Sequence, residues 1–212
     1  MDGKLLAINT FNIKGFKPRN YCYAKQLFKD ADILFLQETW LYEFETQVIG
    51  DDLGECQCHC VSSMDETNIG HMGRPFGGSA IIWKPSLVVD VVKVNCSSNR
   101  ICAIIMNHEG VDYLFISVYM PTNDGTNKSY NIFGDVLCEL SSLLQFYDNH
   151  HVIIAGDLNF DFNQSSNFKN LFMQFLDNED LKCLSNDFLY DIKFTYESST
   201  GTRSFIDHII VS

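Results

Sequence analysis

Residues 151–160 read HVIIAGDLNF. The apolar run Val152 to Ala155 meets Gly156, then Asp157 and Asn159. A short, continuous, β-branched run of this kind predicts a strand covered on both faces. Its polar end asks for a separate reason. Glycine admits close approach of another backbone. Asp157 and Asn159 stand two apart, so on an extended chain they share a face and address one centre. In layered α/β folds, ligand-binding groups collect beyond the carboxyl ends of strands.

The same pattern recurs upstream. KLLAINTFNI (residues 4–13) reads as a strand ending near Asn12, and ADILFLQETW (31–40) as one ending at Gln37–Glu38. Between them YCYAKQLFKDA (21–31) predicts a short helix. Residues 56–62 are expected to be a strand, and TNIGHMGRPFGG (67–78) a loop closed by Gly77–Gly78. SAIIWKP (79–85) and LVVDVVKVN (87–95) are two β-rich runs. RICAIIMNHEGVDYLFISVYMP (100–121) predicts a hairpin turning at Glu109–Gly110. Ile132, Phe133, Val136, Leu137, Leu140, Leu143 and Leu144 mark an amphipathic helix. Phe168, Leu171, Phe172, Phe175 and Leu176 mark another, with Asn167 as its cap. FIDHIIVS (205–212) closes as a strand. Strands alternate with helices in places and form hairpins in others, which predicts an α/β fold with mixed sheets. With no repeat or linker in view, residues 1–212 read as one domain.

Composition narrows the function. The chain has 212 residues, 46% hydrophobic and 20% charged, which suffices for one sizeable core. A net charge of −12 argues against a protein that coats nucleic acid through a basic surface, but not against local phosphodiester binding through a metal ion. No apolar run suits a membrane span, and MDGKLLAINTFN does not read as a signal peptide, so a nuclear or cytoplasmic location is expected rather than secretion. The eight cysteines are then read as free thiols. Cys56, Cys58 and Cys60 alternate in ECQCHC; a zinc site is conceivable, but His59 would face away and no second cysteine pair has ribbon spacing, so buried strand residues are expected.

Asn12, Glu38, Asp157 and Asn159 therefore each follow an apolar run. Carboxylate and amide oxygens are hard ligands, suited to Mg²⁺ or Mn²⁺, and a carboxylate can take a proton from water.

TFNIKG, LFLQETW, SVYMPTND, IIAGDLNFD, FTYES and SFIDHIIVS follow one another from Thr10 to Ser212. Together they resemble the ordered motifs of the endonuclease/exonuclease/phosphatase superfamily, the DNase I-like fold. LQET, YMPTNDG and IDHI are most similar to the apurinic-type endonuclease of LINE-like, non-LTR retrotransposons. The resemblance implies a four-layer α/β/β/α sandwich, two mixed β-sheets flanked by helices. It implies metal-dependent phosphodiester hydrolysis, with DNA as substrate and a reverse transcriptase on the same polypeptide. Residue by residue, it makes Glu38 the principal metal ligand with Asn12 assisting, and Asp157 the group that aligns and deprotonates water. Asn159 would hold that water or the phosphate, and Tyr119 would contact the phosphate. Thr195 would lie along the nucleic-acid backbone, and Asp207 would orient a catalytic histidine.

The family closes on a Ser-Asp-His motif and a last strand, which do not occur before Ser212. The expectation is a C-terminally truncated domain, lacking that strand and impaired in turnover. His208 is adjacent to Asp207 and would face the other way. His71, His108, His150 and His151 are read as ordinary surface residues. The alternatives are a phosphatase of the same fold, acting on inositol phosphate or sphingolipid, and a degenerate non-catalytic fragment.

Overall fold

Strand burial shows first how the layers are arranged. The structure, a computed structural model, describes residues 5–64, 75–87, 90–184 and 192–212. One sheet has four strands in the order β1 (Ile8–Asn12), β2 (Ile33–Gln37), β4 (Ser79–Trp83), β3 (Gln57–Val61). The other has six, in the order β5 (Val91–Val94), β6 (Ile101–His108), β7 (Val111–Tyr119), β8 (His151–Asp157), β12 (Asp207–Val211), β9 (Lys182–Cys183). A small hairpin pairs β10 (Tyr196–Glu197) with β11 (Arg203–Ser204). The β1–β2 and β7–β8 pairs are parallel and the remaining pairs antiparallel, so both large sheets are mixed.

Every residue of β2 is buried because it has cover on both sides. Ile33 and Phe35 face the second sheet, where they meet Cys102, Ile104, Phe115 and Ala155. Leu34 and Leu36 face outward, against Ala24 and Phe28 of α1 (Pro18–Asp30) and Ile49 and Leu53 of α2 (Val48–Leu53). On the far side, α3 (Asn127–Phe146) and α4 (Asn167–Asn178) cover the six-stranded sheet through Phe133, Leu140, Phe168 and Phe172. The result is the expected α/β/β/α sandwich.

The local signals mostly act as read. Pro18 starts α1, where a missing N–H costs nothing. Glu109 and Gly110 take left-handed φ values of 52° and 81°, which closes the β6–β7 hairpin in two residues. Cys58 and Cys60 pack beneath the α1–α2 layer with Cys56 beside them, as small strand residues, and burial pushes the Cys60 thiol up to about 12. Several boundaries need correction. The cap of α4 is Ser166, whose hydroxyl accepts from the Lys169 N–H at 3.1 Å; Asn167 is already helical. The run LVVDVVKVN yields a strand only over Val91–Val94, with residues 88–89 outside the described residues. Most of the 67–78 loop, including His71, also lies outside them. The last strand starts at Asp207, not at Phe205. Among the described residues no helix is long and apolar enough to cross a membrane.

Candidate active site

Register brings the site together. In the six-stranded sheet Tyr119 of β7 aligns with Asp157 of β8, and Asp157 with Asp207 of β12. The three form one row at the strand ends, with side chains on the same face of the sheet. In the four-stranded sheet Asn12 of β1 aligns with Gln37 of β2, and Glu38 follows at once. The two rows face each other across the sandwich, and Asn12 joins them. Its Nδ2 donates to Glu38 Oε1 at 2.8 Å and to Asp157 Oδ2 at 2.8 Å.

Two glycines permit this closeness. A side chain at Gly156 would run into the Val118 carbonyl oxygen, so β8 can lie against β7 here only as glycine. At Gly78, with φ of 84°, a Cβ would strike the Thr39 hydroxyl, and the Gly78 carbonyl accepts from the Thr39 N–H at 3.3 Å. Glu38 itself has a left-handed φ of 54°, as do Trp40 at 57° and Asn159 at 54°. Non-glycine residues in this region store strain and need firm support from their surroundings. Trp40 Nε1 gives Glu38 such support, donating to Oε2 at 3.2 Å.

Asn159 differs from the sequence reading. Strand β8 ends at Asp157, so Asn159 does not continue the alternation. The chain turns, the Asn159 N–H donates to Asp157 Oδ1 at 2.8 Å, and Nδ2 donates to the Met120 carbonyl at 2.7 Å. Asp157 thus has both carboxylate oxygens fixed by donors. Thr195 sits behind Asp207: its hydroxyl accepts from the Ile206 and Asp207 N–H groups at 3.0 and 3.1 Å. Asp207 Oδ1, by contrast, is shielded from solvent with no hydrogen-bond partner among the described residues.

Electrostatics follow from this crowding. Burial raises Asp157 to about 7, with a further push from Asp207 and Glu38 and an opposing pull from the Asn12 and Asn159 donors. Burial also raises Asp207 to about 6; Thr195 and Lys14 pull it down and Glu38 pushes it up. Burial and the neighbouring Glu38 and Asp157 charges push the Tyr119 phenol well up, so it stays protonated, with its hydroxyl bonded to Glu38. His208 points to the opposite face, against Phe162 and Phe205, with Nε2 at 3.1 Å from the Phe205 carbonyl, and burial lowers it to about 4. A cleft of 560 Å³ runs from this cluster along the edge strand β1, walled by Phe11, Lys14, Tyr196 and Phe205.

Three neighbours were not found by reading the sequence. Lys14 lies over the Tyr196 ring at 4.1 Å and acts on Asp207. Trp40 stands only two residues after Glu38, but its indole had no recognisable spacing signal. Arg100 donates from Nη1 to the Tyr119 carbonyl at 3.2 Å and lies over its ring at 5.3 Å. The predicted hairpin contained that signal, since Ile101 pairs with Val118 and sets Arg100 beside Tyr119.

A sandwich of two mixed sheets, with carboxylates, amides and a phenol converging at one mouth, defines a class of phosphoester-hydrolase scaffolds. The chain belongs to the endonuclease/exonuclease/phosphatase family, which it matches over residues 10–212. No curated protein sequence matches it. Solved structures share its fold at low identity. The AP endonuclease LMAP from Leishmania major has a TM-score of 0.75 at 15% identity, covering 96% of this chain and 78% of that one. The 3′ phosphatase NExo from Neisseria, bound to a product DNA hairpin, has a TM-score of 0.70 at 20% identity, covering 98% and 87%. The endonuclease domain of TRAS1, a telomere-specific non-LTR retrotransposon, has a TM-score of 0.67 at 14% identity, covering 97% and 83%.

Proposed function

We propose that the chain is a divalent-metal-dependent DNA endonuclease. The Asn12 bridge carries this reading: one amide nitrogen holds a carboxylate from each sheet, with Tyr119 beside them. Mg²⁺ or Mn²⁺ is the cofactor it implies, and the donor set suits such an ion. The cluster has an excess of carboxylate charge and a buried, unpartnered oxygen on Asp207. Among the described residues no three His, Cys, Asp or Glu side chains form a closed metal site. The ion would therefore rest on Glu38, with Asn12 beside it, and complete its shell with water and phosphate oxygens, as Mg²⁺ commonly does. Bound there, it would neutralise charge on the phosphate.

The chain's own groups supply the rest. Asp157 has its carboxylate plane fixed by two donors and a pKa near neutrality, which suits a base that takes a proton from water. Asn159 commits its Nδ2 to Met120, so its carbonyl oxygen is the atom that would hold that water. Tyr119, kept protonated, would donate to a phosphate oxygen. Asp207 would accept from a protonated donor at the phosphate. Thr195 would border the nucleic-acid backbone.

DNA is favoured over a lipid head group by the rim. Lys14 over Tyr196 at 4.1 Å and Lys17 over Trp40 at 4.9 Å place cations on aromatic faces near the mouth of a chain that is otherwise strongly acidic, while Arg203, over Phe194 at 4.3 Å, is already paired with Glu197 at 3.0 Å. Such pairs suit a nucleic-acid strand, whose charge and bases run side by side. The motif wording, on a fold shared with the TRAS1 endonuclease domain, is the ground for reading the protein as retrotransposon-derived, and a nick that primes a linked reverse transcriptase is what that reading would imply.

Incubation with supercoiled plasmid and Mg²⁺ tests the reading. Nicked circles that disappear with EDTA or with Glu38→Gln are expected. Phosphate release from inositol phosphate without nicking would replace the nuclease by a phosphatase, and neither activity would leave a non-catalytic fragment.

A further inference from the structure

The interface between the two sheets is apolar along Ile33, Phe35, Ile81, Ile104 and Phe115, with a polar strut just beneath the site. Gln37, Ser79 and Ser117 are all fully buried. Gln37 Nε2 crosses from the four-stranded sheet to donate to Ser117 Oγ at 3.0 Å, and Ser117 Oγ lies 2.7 Å from Ser79 Oγ. Both serine hydroxyls also reach the Leu36 carbonyl, at 3.4 and 3.3 Å, and Thr10 Oγ1 donates to Gln37 Oε1 at 3.3 Å.

The position of this strut is informative. Gln37 immediately precedes Glu38, and Ser117 stands two residues before Tyr119 on the same face of β7. Ser79 follows Gly78, whose carbonyl holds the Glu38 turn through Thr39. A buried polar network contributes little net stability over apolar groups of similar shape. What it adds is direction, because an apolar interface resists sliding only by shape whereas a hydrogen bond fixes one register. We propose that Gln37 is a positioning residue: anchored on Ser117 across the sheet interface, it sets the spacing between Glu38 and the Tyr119–Asp157 row. This rests on the nuclease reading for its consequence in turnover, but not for its geometry.

The strut also explains how half a site on each sheet can keep separations fine enough for chemistry. Asn12 spans the same gap at the surface. Its two bonds act at the mouth, where water and substrate compete for them, whereas Gln37, fully buried, acts from within the sheet interface.

The test replaces the network by apolar residues in the triple variant Gln37→Leu, Ser79→Ala, Ser117→Ala, with Gln37→Leu alone, which leaves Ser117 bonded to Ser79 and the Leu36 carbonyl, as the milder form should the triple variant not fold. The expected result is a melting temperature close to wild type, an unchanged KM for plasmid, and a kcat lower by about 10- to 100-fold, the effect of a small misplacement of reacting groups. A second readout needs no turnover: in the metal-free protein the side-chain amide protons of Asn12 should exchange with solvent about tenfold faster in the variant, as the two sheets gain freedom at the mouth. Unchanged kcat, or a loss matched by the unfolded fraction, would overturn the proposal, as would unchanged Asn12 exchange. Should wild type hydrolyse nothing, the nuclease reading falls, and Asn12 exchange alone decides whether the strut holds the sheets.

Discussion

Asp157 and Asp207 are direct cross-strand partners in one sheet, yet their surroundings differ. Asp157 receives Asn12 on one oxygen and the Asn159 N–H on the other. Asp207 has Thr195 behind it and an Oδ1 with no partner among the described residues. Like charges placed opposite each other on a sheet repel. One member of the pair is compensated by donors from two directions, and the other retains an unmet demand. The difference teaches that the Asp157 half is preorganised by the chain itself, while the Asp207 half awaits a donor from outside the cluster.

The largest effect should come from breaking the preorganised half. Asp157→Asn keeps the shape and removes the base, and its amide nitrogen leaves one of the Asn12 and Asn159 donors without an acceptor. Nicking should fall by about 10²- to 10⁴-fold, the usual worth of a positioned base. Its pH profile separates this from a loss of structure: wild-type activity should rise with pH as Asp157 ionises, below its metal-free value of about 7 because a bound cation favours the carboxylate, and the residual activity of the variant should lack that limb. A profile unchanged in shape would move the base elsewhere.

Stability against pH, measured in EDTA, gives the next largest effect. Asp157 and Asp207 have folded pKa values of about 7 and about 6, above the usual 3.8. The folded state therefore holds their protons more tightly, and stability present below pH 4 is lost as pH rises through those values. His208 opposes them. Its folded pKa of about 4 lies below the usual 6.5, so its contribution is present above pH 6.5 and lost as pH falls through 4. Between pH 4 and 6 two losses and one gain leave a net decline equivalent to one proton, about 1 kcal/mol per pH unit. Urea midpoints should show this slope, and His208→Gln should steepen it. Mg²⁺ at pH 8 should raise the midpoint, and Glu38→Gln should remove that rise.

These contrasts bear on what could be read from sequence. The strands β2 and β8 were legible because strands covered on both faces are written as unbroken apolar runs, and α3 because its apolar residues keep helical spacing from Ile132 to Leu144. The face of His208 was legible from period two alone. Asn159 was misplaced by the same rule, because alternation holds only to the end of a strand and nothing local announced the left-handed turn after Asp157. Asn167 reads as the cap in place of Ser166, which holds that role, because both are good caps one residue apart. The pairing of Asp157 with Asp207 was out of reach for a deeper reason. Register between strands fifty residues apart is set by the whole sheet, so the repulsion that defines the site is non-local.

Asp207→Asn sharpens the contrast from the other side. It removes a charge whose Oδ1 has no partner among the described residues, and it takes one repulsive neighbour from Asp157. At pH 8 the variant should be more stable by about 1–3 kcal/mol, because it no longer buries an ionised carboxyl whose folded pKa is raised to about 6. At pH 4, where both aspartates are protonated, the gain should vanish. The pH limb of any remaining activity should move below that of wild type, because Asp157 is relieved. A loss of stability at pH 8 would mean that the charge of Asp207 is compensated after all.

Thr195→Val makes the smallest change and tests how the open half is held. The hydroxyl accepts the Ile206 and Asp207 N–H groups, just where β12 begins, and its hydrogen bond lowers the Asp207 pKa. Valine keeps the shape and deletes the acceptor. Water can reach part of this exposed position, so the stability cost should be modest, about 0.5–1.5 kcal/mol. Two roles for Thr195 then diverge. If it only borders the DNA backbone, the variant should raise KM and leave stability and the Asp207 titration alone. If it holds the entry to β12, KM should stay near wild type while the urea midpoint drops and Asp207 titrates above 6. The two inward hydrogen bonds favour the second outcome, with Asp207 fixed from behind by Thr195 and its Oδ1 left without a partner among the described residues.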